Sequence, residues 1–237
     1  MKIAELILIA RTDYLDDPIG DLLWDDDFMF RAFSEAERQA CNRQNFLYDD
    51  NIPITLVADQ TTYRLPTNIT KIDKFIFQNN VIGHLSKHEL ERLRPAWREE
   101  TGMTDNVIEY FIQARNIRFV PSPTVDDDGL VVTLESFRLP LKSKVNAGYI
   151  PEIPEEYHRD LIYWVLHNAY KKQDADAYGQ ERADYFLNRF TEVFGEYISA
   201  EVRINQMEQR SSLHLRPTPY AMKLTRTTHT DSIDGVW

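Results

Sequence analysis

The chain has 237 residues and a formal net charge of −11, from 38 acidic and 27 basic side chains. Affinity for a nucleic-acid backbone needs clustered Lys and Arg, so this balance argues against a clamp and suits a surface that DNA passes without sticking. Hydrophobic residues make up 43 %, with 12 Tyr, 12 Phe and 4 Trp, which excludes global disorder and provides for a packed core.

Cys41 is the single cysteine. An intrachain disulfide and a cysteine zinc site are thereby excluded, as suits a reducing cytoplasm, and core packing is the role expected for this thiol. The opening MKIAELILIARTDYLDD has a short apolar stretch broken by Glu5 and Arg11, unlike a signal peptide. No stretch reaches the length of a membrane span, so a soluble, unexported protein is expected.

Ile3, Leu6, Ile7 and Ala10 recur at helical spacing and predict an amphipathic helix over 3–13. An acidic loop with Pro18 and Gly20 follows. Asp25, Asp26 and Asp27 offer an N-cap and negative charge to a second helix over 26–45, with Met29, Ala32, Phe33, Ala36 and Ala40 on one face. From Asp49 to Pro140 the signals are of β type. KIDKFIF (71–77) ends in the turn-prone pair Asn79-Asn80. Residues 107–113 and 115–120 read as strands broken near Ala114 to Asn116. Asp128-Gly129 reads as a hairpin tip before the strand 130–137. Ile153-Pro154-Glu155-Glu156 is a helix start, leading into a nearly all-round apolar helix that ends at Lys171 and Lys172 and needs burial on several sides. A last long helix is predicted over 176–210, with Phe186, Phe190, Val193, Tyr197 and Ile204 marking one face. Beyond Ser211 no period remains, and the segment reads as an extended tail.

Catalytic and metal-binding patterns along the same chain are incomplete. Eight glycines, none closer than sixteen positions to another, build no phosphate-cradling loop. His84 and His88 stand four apart, but Leu85 sits where a metalloprotease needs its Glu; solvated or structural histidines are the simpler reading. Asp126, Asp128, Gly129 and Glu135 partly match a calcium loop, yet Thr124 occupies the first ligand position. A hairpin tip explains them as well. Asp25 to Asp27 are read as a cap or a solvated acidic patch, and no serine has a nucleophile-elbow context. Trp24, Trp97 and Trp164 are expected in the core. Trp237 ends a polar tail and is a candidate partner anchor.

The order helix pair, β insert, helix pair resembles the adaptor proteins of tailed-bacteriophage head-to-tail connectors. TYRLPTNITKIDKFIFQNNVIGHL, WREETG, IRFVPSP, LVVTLESFRLPL and IPEIPEEYHRDLIYWVLHNAYKKQDADAYGQERADYFLNRF carry the likeness, over roughly residues 22–200. Ile153, Pro154, Tyr157 and His158 match the family's Pro-Ile-Pro-like approach and Tyr-His pair. The resemblance implies a structural virion protein and no catalytic residues. It implies a ring, usually of twelve copies, under the portal protein, with the tail nozzle or next tail protein on the other side and DNA passing through without specific binding.

The resulting expectation is an α+β fold: a bundle of two N-terminal and two C-terminal helices, an inserted antiparallel β domain and an extended tail. The divisions are 1–48, 49–150, 151–210 and 211–237. No cofactor, metal or membrane is expected, and the site is the head-tail junction of the virion. The candidate partner contacts are Leu213, Leu215, Pro217, Pro219, Tyr220, Leu224 and Trp237. A tail-tube or baseplate-associated binding protein is the second reading, and a hydrolase using acidic residues the third.

Overall fold

The structure, a computed structural model, describes residues 1–17, 22–104, 106–142, 145–172 and 179–209. Among these residues, six α-helices and seven strands make a mixed α+β fold, as expected. The chain opens with α1 (Ile3–Ile9), which passes directly into a π-helical turn, Ala10–Leu15. Its buried face is the predicted one, with Ile3, Leu6, Ile7 and Ala10 inside. Helix α2 spans Asp26–Arg43 and starts where the aspartates point: Asp25 accepts the Phe28 amide at 2.7 Å. That bond satisfies one amide that the first helical turn leaves open.

The β elements are β1 (Leu47–Thr55), β2 (Tyr63–Arg64), β3 (Ile69–Phe77), β4 (Asn80–His84), β5 (Glu109–Gln113), β6 (Asn116–Val120) and β7 (Val131–Arg138), with α3 (Lys87–Leu93) between β4 and β5. They form one curled half-barrel sheet in the order β1-β7-β3-β4-β5-β6-β2. Every pairing is antiparallel but one. Strands β4 and β5 run parallel, Gly83 opposite Glu109, because α3 carries the chain back between them. Two hairpins have two-residue loops, Gln78-Asn79 and Ala114-Arg115, and all four loop residues have positive φ. That is the conformation whose twist matches the flanking strands.

Helix α4 (Leu161–Lys171) is buried on several sides, as its apolar sequence predicts. It begins later than Pro154. Glu155–Tyr157 form a 3-10 turn, and His158 Nε2 is held 2.9 Å from the Ile153 carbonyl, folding the approach back on itself. Of the predicted long last helix, 176–178 and 210 fall outside the described residues. The remainder is two helices, α5 (Gln180–Phe194) and α6 (Ala200–Gln209). Gly195 separates them at φ +82°, ψ 178°, a backbone region that only glycine adopts readily. Helix α6 then packs against β3 and β5.

Two main cores result. One is helical, built on Phe33, Met29, Leu161, Val165, Phe190 and Phe194, with Cys41 and Trp24 inside it. The other lies within the sheet, around Phe75, Phe119, Ile117 and Leu134. A smaller third cluster, Leu90, Trp97, Phe111 and Val120, covers the opposite face of β5 and β6.

The pair Asp128-Gly129 does not form the predicted hairpin tip. Val125–Asp127 are a 3-10 turn, and β7 pairs with β1 and β3, not with β6. The reason is Asp127, which is fully buried and accepts from the amides of Met103 and Thr124 at 2.9 and 2.8 Å and from the Thr104 and Thr124 hydroxyls at 2.8 and 3.0 Å. The acidic run is pulled inward by its middle member alone, Asp126 and Asp128 remaining exposed.

Candidate interaction surfaces

The chemistry-bearing residues singled out from the sequence do not converge. His84 lies buried on β4 against Tyr110, ring centroids 4.9 Å apart, whereas His88 is exposed on α3. The two therefore share no helix face. Asp128 accepts the Ala58 amide at 2.9 Å, Glu135 pairs with Lys74 at 3.0 Å, and Thr124 braces Asp127, so the calcium-like positions are dispersed among separate contacts. Among the described residues no three His, Cys, Asp or Glu side chains are grouped to hold a metal. No helix among them is long and apolar enough to cross a membrane. Trp24 and Trp97 are buried and Trp164 is half-buried. Leu213, Leu215, Pro217, Pro219, Tyr220, Leu224 and Trp237 lie outside the described residues.

What the fold does build is surface. The segment before α2 is held from below by Arg11, a buried side chain whose guanidinium donates to the Trp24 carbonyl at 2.7 Å and to Asp26 at 3.0 Å. Asp17, also buried, lies 3.6 Å from the Arg11 Nε and accepts the Leu23 amide at 2.8 Å. The result is a fixed projection. Leu22 and Leu23 stand out at 40 and 37 % exposure, beside the exposed carboxylates Asp25, Asp26 and Asp27. Asp25 and Asp27 also line a small hollow of about 240 Å³ with Phe30.

A second surface lies on the bundle, centred on Phe186 of α5. Its ring stacks on Tyr170 at 5.8 Å and Tyr163 at 6.3 Å, and meets Tyr14 and Tyr185 edge-on at 6.1 and 5.2 Å. The guanidiniums of Arg182 and Arg189 flank it, 5.5 and 5.9 Å from the Tyr170 and Tyr163 rings. Tyr14 and Tyr185 remain exposed. Aromatic and arginine side chains are what interface centres enrich.

The third is a cleft of about 420 Å³ between α3, β5 and β6. Strand register sets its floor. Tyr110 and Phe119 are paired and face the sheet core, so the next pair, Phe111 and Arg118, must face away from it. The chain after α3 lays Trp97 over that pair, braced by Arg94, which bonds to Glu100 and to Glu109. Trp97 meets Phe111 edge-on at 5.3 Å. Trp97 is buried, as its apolar neighbours predict, whereas Arg118 stands in no motif. The available signal was the alternation Ile117-Arg118-Phe119, but only cross-strand register shows what Arg118 faces.

The family model described as SU10 adaptor protein matches residues 1–223. The chain belongs to the SU10 adaptor protein family. It is therefore a phage adaptor protein, a family structural and not catalytic in character. The SU10 adaptor match reaches beyond 22–200 on both sides, taking in α1 and part of the segment after α6. No curated protein matches this SU10 adaptor family chain. Its Tyr157-His158 pair is structural here: the Met1 amine lies 3.1 Å from His158 Nδ1 and 3.1 Å from Glu155, which closes α1 onto the approach to α4.

Proposed function

We propose that this chain is a ring-forming virion subunit that joins the portal to the tail and forms part of the DNA channel at the head-tail junction. The observation that carries the reading is the adaptor-family match along residues 1–223. The fold supports it with surfaces of interface chemistry. A cyclic ring, here of twelve copies, uses different patches on its two sides, and the aromatic platform, the acidic projection and the cleft are such different patches. The net charge of −11 suits a conduit wall that DNA passes without binding. The tail residues Leu213 to Trp237 are the proposed grip on the portal, ordered when bound. The tail nozzle or next tail protein occupies the other side.

Electron microscopy of the purified chain with and without portal tests this. Ring density under the portal is the expected image. A chain that stays monomeric with portal and shows no binding rejects the reading. Density placed along a tube or baseplate selects the second reading instead.

A further inference from the structure

The cleft beneath α3 holds a guanidinium that no carboxylate among the described residues compensates. The Arg98 and Arg118 guanidiniums both sit over the Trp97 ring, 4.3 and 4.6 Å from its centroid. Arg98 is paired with Glu91 at 2.8 Å. Arg118 pairs with no carboxylate among the described residues, and its Nε and the Trp97 Nε1, both shut off from solvent, have no hydrogen-bond acceptor there. Burial, and after it the charge of Arg98, lowers the Arg118 pKa. Lys87 adds a further cation at the rim, while Phe111 and Trp97 make the floor apolar. In a chain of net charge −11 this is a local inversion of sign. The half-exposed Arg118 guanidinium therefore offers an unpaired positive charge that an anionic group complements.

The acidic projection has the complementary chemistry. It offers Leu22 and Leu23 beside the exposed Asp25 and Asp27, on a backbone held by the Arg11 bond to the Trp24 carbonyl and the Leu23 amide bond to Asp17. Preorganisation reduces the cost of binding. Cleft and projection sit on different cores, so one copy meeting another this way makes a heterologous contact, the type that closes rings. Such a contact also offsets the self-repulsion of a strongly acidic ring.

We propose that the cleft between α3, β5 and β6 is the socket for the Leu22–Asp27 projection of a neighbouring copy, with a carboxylate of the projection on the Arg118 guanidinium. This rests on the reading that copies of the chain meet in a ring.

The test is a charge swap in the full chain, read by sedimentation velocity alone and by electron microscopy with portal. Arg118→Glu and Asp27→Lys are each expected to weaken self-association at least tenfold, and an equimolar mixture of the two to recover it, since Glu then faces Lys at one contact and the native pair remains at the other. Arg118→Gln, which keeps length and an amide, checks that any loss follows charge and not misfolding; a milder loss in the same direction is expected. Rings on portal that form equally well with every variant overturn the socket and leave the ring standing. Wild-type chain that associates neither alone nor on portal overturns both. An oligonucleotide retained by the wild type and released by Arg118→Glu, with association unchanged, assigns the cleft to nucleic acid and overturns the socket.

Discussion

The Tyr149 hydroxyl donates to Glu37 Oε2 at 3.1 Å in the interior of the bundle, and the Glu152 amide donates to the other oxygen of the same carboxylate. This ties α2 to the segment that returns from the sheet. Arg138 extends the tie by pairing with Glu152 at 2.8 Å. A single buried carboxylate thus joins the helical core to the end of β7.

Glu37 sets a pH dependence. Burial is the largest influence on it and, despite the hydrogen bonds from Glu152 and Tyr149, raises its pKa from 4.5 to about 6. The folded state therefore binds the proton more tightly than the unfolded chain does. The stability this adds is fully present below about pH 4.5 and is lost as pH rises through about 6. Its size is roughly 2 kcal/mol, at about 1.36 kcal/mol per pKa unit. Glu37→Gln keeps an acceptor for the Glu152 amide and removes the charge. Urea midpoints between pH 7.5 and 5 are expected to show the wild type gaining on the variant as pH falls. A constant difference across that range refutes the assignment.

Asp127 works in the opposite direction. Burial on its own would raise its pKa, but the hydrogen bonds from Met103, Thr124 and Thr104 outweigh it and hold the group down at about 2. Its contribution is present above the ordinary value of 3.8 and is lost as pH falls through about 2. Replacing it with Ala leaves buried amides without an acceptor, and Asn turns an NH2 group toward donors. Both changes are expected to cost about 2–4 kcal/mol, with Asn no milder than Ala. Guanidinium unfolding of the two variants checks this. A loss under about 1 kcal/mol for both would show that the hub is dispensable.

Much of the fold could be read from residue order because the signals were local. Asp25 caps α2 where its position before the apolar run requires, and the break between β5 and β6 falls where the pattern lapses. What escaped was decided by distant partners. Nothing in three successive aspartates says that Asp127 is the buried one; Met103 and Thr104 say so from more than twenty positions away. Neither Ala114 nor Arg115 is a usual residue for a positive-φ turn. Their conformation is held by the Arg115 bond to the Pro66 carbonyl at 2.8 Å and the Ala114 amide bond to Glu208 at 2.9 Å. The cleft depends on register between β5 and β6 and on a loop from α3, so no single stretch encodes it.

Gly195 was legible as a glycine but not as a break. Its carbonyl accepts from Arg43 at 2.8 Å, and that guanidinium lies 5.0 Å from the Phe190 ring centroid, which locks the end of α5 to α2. An added methyl meets nothing within 4 Å, so Gly195→Ala is penalised by backbone conformation alone. The expected cost is about 1–3 kcal/mol, read as a lower thermal midpoint. Gly179→Ala is the control, because Gly179 has a negative φ of −148° and ordinary contact distances of 3.7 Å around an added methyl. Equal losses at the two positions would mean that conformation is not the cause.

Removal of residues 211–237 separates folding from assembly. Among the described residues, Phe194 is the last buried side chain of the helical core and Leu134 the last of the sheet core, both well before the tail. The truncated chain is therefore expected to keep the wild-type unfolding free energy within about 0.5 kcal/mol, the range of changes made away from buried structure. Assembly on the portal should weaken, because Leu213, Tyr220 and Trp237 would be gone from the proposed grip. Truncation that spares charge-dependent association between copies but abolishes portal binding is the expected pairing of results. It would assign the ring contact to the folded body and the portal contact to the tail. A truncated chain that unfolds shows instead that the tail completes a core, and the division of labour between the two would then be wrong.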